Sequence, residues 1–188
     1  MAIPLEDNFT DIIGKAKRGL GISDSQLAEK AGASVDAVRE VCEGKFDRAM
    51  LDQIAPALQL DADSLAQLAQ EKWRPGEIRV DGLAQFNTPY HDMMVNAYLV
   101  WDPANKDAIA FDTGADCSAM LKFSQDNGLT IRLVLLTHSH PDHVADLDRL
   151  AQATGAPIYL SRLENVSGAQ GIEEGRNFKI GKLEIESR

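Results

Sequence analysis

Cysteine is scarce in this sequence: there are two in 188 residues, Cys42 and Cys117, far apart along the chain. That argues against a disulfide framework and fits a reducing compartment, so a cytoplasmic location is expected and both thiols read as small buried apolar groups. Long hydrophobic runs are also missing. None approaches the ~20 residues needed to span a bilayer, so no membrane segment is expected. Residues Met1 to Glu6 hold neither a basic n-region nor an apolar h-region, and no signal peptide is read there. Positive charge is in deficit, with a formal net charge of −10. Residues 1–75 carry nine Lys+Arg against thirteen Asp+Glu, and residues 76–188 carry ten against sixteen. Neither part is basic, which weakens a nucleic-acid reading, because non-specific affinity comes mainly from neutralising phosphates. No internal repeat or low-complexity tract is found.

What is present divides by period. A length of 188 residues suffices for one ordinary domain or two small ones. Residues 1–74 read as helix after helix. Phe9, Ile12, Ile13 and Ala16 keep a 3.6 spacing. Ser23 or Asp24 can cap a second helix that carries Leu27, Ala28 and Ala31 and stops at Gly32. Ser34 caps a third, with Val35, Val38, Val41 and Cys42 inward, ending at Gly44. A fourth is predicted to hold Met50, Leu51, Ile54, Leu58 and Leu60. Asp61 or Asp63 caps a fifth, with Leu65, Leu68 and Ala69 inward. Short helices joined by tight turns predict a compact bundle. Pro75 and Gly76 punctuate the chain at the boundary.

From Ile78 onward the pattern is that of an α/β layer structure. Strands are predicted at Val95–Trp101 and Ala108–Phe111, separated by a turn at Asp102-Pro103-Ala104-Asn105. Ser118–Asn127 reads as a helix. Ile131–Leu136 is a continuous apolar run, the mark of a strand buried on both faces. A helix over Val144–Ala153, a short strand over Pro157–Leu160 and a hairpin pairing Phe178–Ile180 with Leu183–Ile185 complete the reading.

The chemistry concentrates at His138-Ser139-His140-Pro141-Asp142-His143. Three of the four histidines fall in these six residues, directly after the apolar strand. Residues just past the carboxyl end of a buried strand sit where α/β proteins build their sites. An extended loop can aim His138 and His140 at one cation. Asp142 and His143 open the next helix and can face a second. Zinc accepts imidazole nitrogen and carboxylate oxygen. One or two cations are therefore expected, and the donor types leave zinc, iron and manganese open. His91, in the loop Pro89-Tyr90-His91-Asp92, reads as an exposed loop histidine.

Thr137-His138-Ser139-His140-Pro141-Asp142-His143 resembles the T-H-x-H-x-D-H signature of the metallo-β-lactamase superfamily. Asn96–Val100 and Phe111-Asp112-Thr113-Gly114 resemble the strand pair and D-T-G turn of its glyoxalase II-like members. The resemblance covers about residues 78–188. It implies an αββα sandwich and a metal-dependent hydrolase of a thioester, ester or lactone, with a small carbonyl compound as substrate. It further implies that His138 and His140 serve one metal and that Asp142 and His143 serve a second. Asp142 would also steer the attacking water, and Asp112 would be structural. The pattern is incomplete, because no His follows His143 and no Asp follows Asp148, so this chain alone is expected to bind metal weakly or not at all and to be inactive. Three explanations compete: a piece of a longer hydrolase, a sandwich completed by a second chain such as a homodimer partner, or a degenerate form. A half sandwich is expected to expose the apolar face of its sheet.

Ser25-Gln26-Leu27-Ala28-Glu29-Lys30-Ala31-Gly32-Ala33-Ser34 resembles the core of a lambda-repressor-like helix-turn-helix. That resemblance implies DNA contacts from Gln26, Ser34, Arg39 and Lys45, with Ser34–Cys42 as recognition helix. Asp36 and Glu40 on the same surface argue for protein docking instead. The expected architecture is thus an α+β two-domain chain. Residues 1–74 form an all-α five-helix bundle, and residues 77–188 the first half of an αββα domain. The alternative to a hydrolase is a DNA-binding transcriptional regulator with a hydrolase-like sensing domain.

Overall fold

The computed structural model describes residues 5–76, 79–91 and 93–188. The signal-peptide reading at Met1–Pro4, the change of period at Ile78 and the loop residue Asp92 lie outside the described residues. The described residues form two compact units that divide after Gly76.

The first unit is all helical: α1 (Phe9–Leu20), α2 (Asp24–Ala31), α3 (Val35–Cys42), α4 (Arg48–Ile54) and α5 (Ala62–Ala69). Side-chain caps set the starts. Ser23 accepts from the Gln26 N–H, Ser34 from Ala37 and Asp61 from Ser64, each satisfying an amide that the first helical turn leaves orphaned. Ile13, Leu27, Val38, Val41, Leu51 and Ile54 are fully buried at the centre. One expectation is corrected here. Helix α4 ends at Ile54, and Pro56–Leu58 forms a separate 3-10 turn. Proline has no N–H to continue the ladder, and its ring clashes with the preceding turn. Leu58 is still buried, but it reaches the core from that turn.

The second unit is a mixed sheet with helices. Its strands are β1 (Leu83–Tyr90), β2 (Met93–Trp101), β3 (Asp107–Phe111), β4 (Thr130–Leu135), β5 (Ile158–Ser161) and β6 (Ala169–Ile172), adjacent in chain order. The β1–β2 and β2–β3 pairs are antiparallel, and β3–β4, β4–β5 and β5–β6 are parallel. The helices are α6 (Ser118–Asp126), α7 (Pro141–Val144) and α8 (Leu147–Thr154). One face of the sheet packs Leu99, Ala110, Val134 and Leu160 against Met120 of α6 and Leu150 of α8. The single helix expected over Val144–Ala153 is broken at Ala145–Asp146. There the Asp146 carboxylate accepts the Cys117 N–H at 2.8 Å and the Asp146 N–H turns to Thr113 Oγ1 at 3.3 Å.

The opposite face is not bare, contrary to the expectation from a half sandwich. A hairpin of β7 (Asn177–Ile180) and β8 (Leu183–Glu186) lays Phe178, Ile180, Leu183 and Ile185 over it. Beneath them Ile109, Leu133 and Leu135 are 0%, 2% and 7% exposed. The Asp102 carboxylate ties the hairpin down by accepting from the Lys182 N–H at 2.9 Å and from Ala104 at 2.9 Å. Among the described residues, no helix is long and apolar enough to cross a membrane.

Candidate metal centre

Three neighbouring parallel strands, β3, β4 and β5, end on one edge of the sheet. Asp112 follows β3, the segment Thr137–His143 follows β4, and Glu164 lies in the loop after β5. Backbone carbonyls and amides at strand ends lose their ladder partners, so side chains there must satisfy them. That need shapes the site.

Asp112 sits at the centre, 3% exposed and with φ of +57°, a left-handed conformation that Asp tolerates better than most residues. Its Oδ1 accepts the Thr137 N–H at 2.8 Å, and its Oδ2 accepts the Thr137 hydroxyl at 2.7 Å. The same Oδ2 lies 2.9 Å from Nδ1 of His143, itself 9% exposed. A carboxylate is acceptor-only, so His143 donates from Nδ1 and presents the lone pair of Nε2 outward. The Thr113 N–H and hydroxyl both donate to the His143 carbonyl, each at 3.0 Å. One D-T dipeptide therefore fixes both the ring and the backbone of His143.

The sequence cluster is brought together in space. The His138 ring lies 4.4 Å from that of His140 and 4.1 Å from that of His143, centroid to centroid. Asp142 Oδ2 stands 3.4 Å from His143 Nε2. That matches the ~3.3 Å edge of a zinc tetrahedron built with bonds of ~2.0–2.1 Å. Burial, and then the neighbouring His143 and His140, hold the His138 imidazole below its ordinary pKa, which keeps it in the neutral form a metal requires. The donor chemistry thus fits a zinc-type cation. Among the described residues, however, no three His, Cys, Asp or Glu side chains surround a common point. The arrangement is a partial site: donors in place, one pair at ligand spacing, no closed set.

Other residues singled out from sequence fall elsewhere. His91 is exposed at the β1–β2 turn, with φ of +54° and its ring 4.5 Å from Tyr90. In the helical unit, Gln26 is occupied in the capping box of α2 with Ser23, and Ser34 caps α3. Arg39 lies 3.8 Å from both Asp24 and Asp36, and Lys45 pairs with Glu40 at 2.7 Å. Glu164 was not legible as a site residue. Its carboxylate accepts the Ser139 N–H, and hydrogen bonding from the Ser139 hydroxyl first, with the N–H adding to it, holds Glu164 below its usual pKa against the opposing effect of burial. A lone Glu more than twenty residues from the motif carries no sequence signal; only the strand order places it here.

A family model described as "Metallo-beta-lactamase superfamily" matches residues 92–185. Hydroxyacylglutathione hydrolase of Pseudomonas entomophila is 30% identical over 104 residues, 55% of this chain and 38% of that protein. The "Probable polyketide biosynthesis zinc-dependent hydrolase BaeB" of Bacillus velezensis is 30% identical over 105 residues, 52% of this chain and 47% of that protein. Hydroxyacylglutathione hydrolase of Bdellovibrio bacteriovorus is 34% identical over 87 residues, 45% of this chain and 34% of that protein. The chain spans less than half the length of these curated relatives.

Proposed function

Since the chain belongs to the metallo-beta-lactamase superfamily, we propose that its second unit supplies the first donors of the metal centre of a hydrolase acting on a thioester, ester or lactone. His138 and His140 serve one zinc position; Asp142 and His143 serve the other. The observation that carries this reading is the 3.4 Å pairing of Asp142 Oδ2 with His143 Nε2 while Asp112 holds the other ring nitrogen. A histidine whose far nitrogen is bound by a buried carboxylate is oriented as a ligand. Bound zinc supplies hydroxide at neutral pH by lowering the pKa of water to ~7. The chain's own contributions are positional. Asp142 accepts a hydrogen bond from the attacking water and aims it, and the Asp112–Thr137–His143 network keeps the donors from relaxing. Four donors divided over two positions leave each short of a full protein ligand set.

Among the substrate classes, the hydroxyacylglutathione hydrolases favour a thioester. The competing reading, a DNA-binding regulator with a helix-turn-helix, needs free cations on α3 and just after it. Arg39 and Lys45 both stand beside carboxylates, which favours the hydrolase.

Zinc affinity measured by competition with a chromophoric chelator tests the proposal. The chain is expected to bind zinc weakly, as an incomplete donor set does, and His138→Ala, His140→Ala, Asp142→Ala and His143→Ala each to weaken binding further, by at least about tenfold. Affinity unchanged by all four substitutions contradicts it.

A further inference from the structure

We infer that Glu164 is a positioning residue that clamps the donor loop from the neighbouring strand. The inference rests on the metal-centre reading above for its purpose, but on geometry for its existence. Ser139 lies between the two imidazole donors, and its N–H is held by the Glu164 carboxylate. The loop amides around it are accounted for separately: Thr137 N–H goes to Asp112 Oδ1, and His143 N–H to the His140 carbonyl. Asp112 therefore pins the two ends of the loop, and Glu164 pins its middle.

The clamp has a fixed base. After β5 the chain turns sharply, with the Glu164 N–H bonded to the Ser161 carbonyl at 3.0 Å and the Leu163 N–H to Ser161 Oγ at 3.3 Å. The Arg162 N–H reaches the Ile172 carbonyl of β6 at 2.9 Å, so the turn is anchored across the sheet as well. A carboxylate on a rigid turn gains a charge-assisted bond to the Ser139 amide without first ordering its own backbone. It also places a negative charge close enough to act on both His138 and His140, the sign that suits rings about to share a cation. Extended loops are free to swing their side chains. This one cannot swing without breaking a bond to one of two different strands' loops.

Two measurements test the inference, and they separate it from the functional reading. Amide hydrogen exchange of the metal-free chain reads the clamp directly. Glu164→Ala is expected to speed exchange at Ser139 at least about tenfold while leaving the α8 amides unchanged. Glu164→Gln, which keeps a carbonyl acceptor, is expected to retain much of the protection. Unchanged Ser139 exchange in Glu164→Ala overturns the clamp whether or not zinc binds. Zinc titration then reads its purpose. Glu164→Ala is expected to weaken binding about tenfold and Glu164→Gln to restore most of it. An equal loss in both overturns the positioning role, since it means the charge itself ligates the metal. Protection that is lost in Glu164→Ala, in a chain that binds no zinc, leaves the clamp standing and removes the metal-centre reading instead.

Discussion

Asp112→Ala is the substitution whose consequence can be worked most completely. It removes the acceptor of three donors: the Thr137 N–H, the Thr137 hydroxyl and His143 Nδ1. Hydrogen bonds to a charged group contribute about 1.5–3 kcal/mol each when the partner stays dry. Only His143 meets that condition, at 9% exposure. Thr137 is exposed and regains water, so its two bonds count for about 0.5–1 kcal/mol each. Alanine at a φ of +57° adds roughly 1 kcal/mol of backbone strain. The total loss is about 3.5–6 kcal/mol. Asp112→Asn keeps one acceptor, for the Thr137 N–H, and loses the Thr137 hydroxyl and His143 bonds, so its loss is about 2–4 kcal/mol. Urea unfolding followed by Trp101 fluorescence measures this. Trp101 packs 5.6 Å from Phe123 in the second unit, and a Trp73→Phe background silences the half-exposed Trp73. A loss below about 1 kcal/mol for Asp112→Ala would refute the reasoning, because the network would then hold nothing in place.

Two further outcomes follow from the same bookkeeping. The Asp102 carboxyl is held below its ordinary value of 3.8, first by the Ala104 N–H and then by the Lys182 N–H. A depressed folded value means stability that is present above the ordinary value and lost as pH falls through the folded one. Asp102→Asn is expected to lower Tm at neutral pH and to flatten the decline in Tm below about pH 4; parallel Tm curves for the two proteins contradict this. The Cys117 thiol is fully buried and pushed up to about 12, by burial first and the Asp146 hydrogen bond second. A thiol-reactive dye is therefore expected to label only Cys42 in the folded chain, slowly since its thiol too is raised by burial, and to label both cysteines in urea. Rapid labelling of Cys117 without denaturant contradicts the packing.

The helices of the first unit were legible because their caps are written locally. Ser23, Ser34 and Asp61 stand where a side-chain oxygen reaches an orphan amide. Helix α4 was overextended because Leu58 and Leu60 keep the apolar spacing across Pro56, and proline overrules spacing. Strand β1 was not read at all. Gln85, Asn87 and Thr88 dilute its apolar pattern and Pro89 interrupts it, which an edge strand tolerates. Strand β6, Ala169–Ile172, is too short and too mixed to announce itself. The covering of the second sheet face was missed for another reason. The β7–β8 alternation was visible, but where a hairpin docks depends on Asp102 and Lys182, eighty positions apart. The donor cluster was legible because its residues are contiguous. Of the residues that hold it, Asp112 after β3 was named as structural through the resemblance of its D-T-G turn, whereas Glu164, in the loop after β5, is joined to it only by topology.

The claim that these histidines are metal donors is tested most directly by zinc-edge X-ray absorption on the zinc-loaded chain. The account predicts a coordination sphere that contains imidazole nitrogens at ~2.0–2.1 Å, reduced in number when His138 and His140 are both replaced by Ala and lost when His143 is replaced as well. A sphere of oxygens alone, or one that the double substitution leaves unchanged, would contradict it.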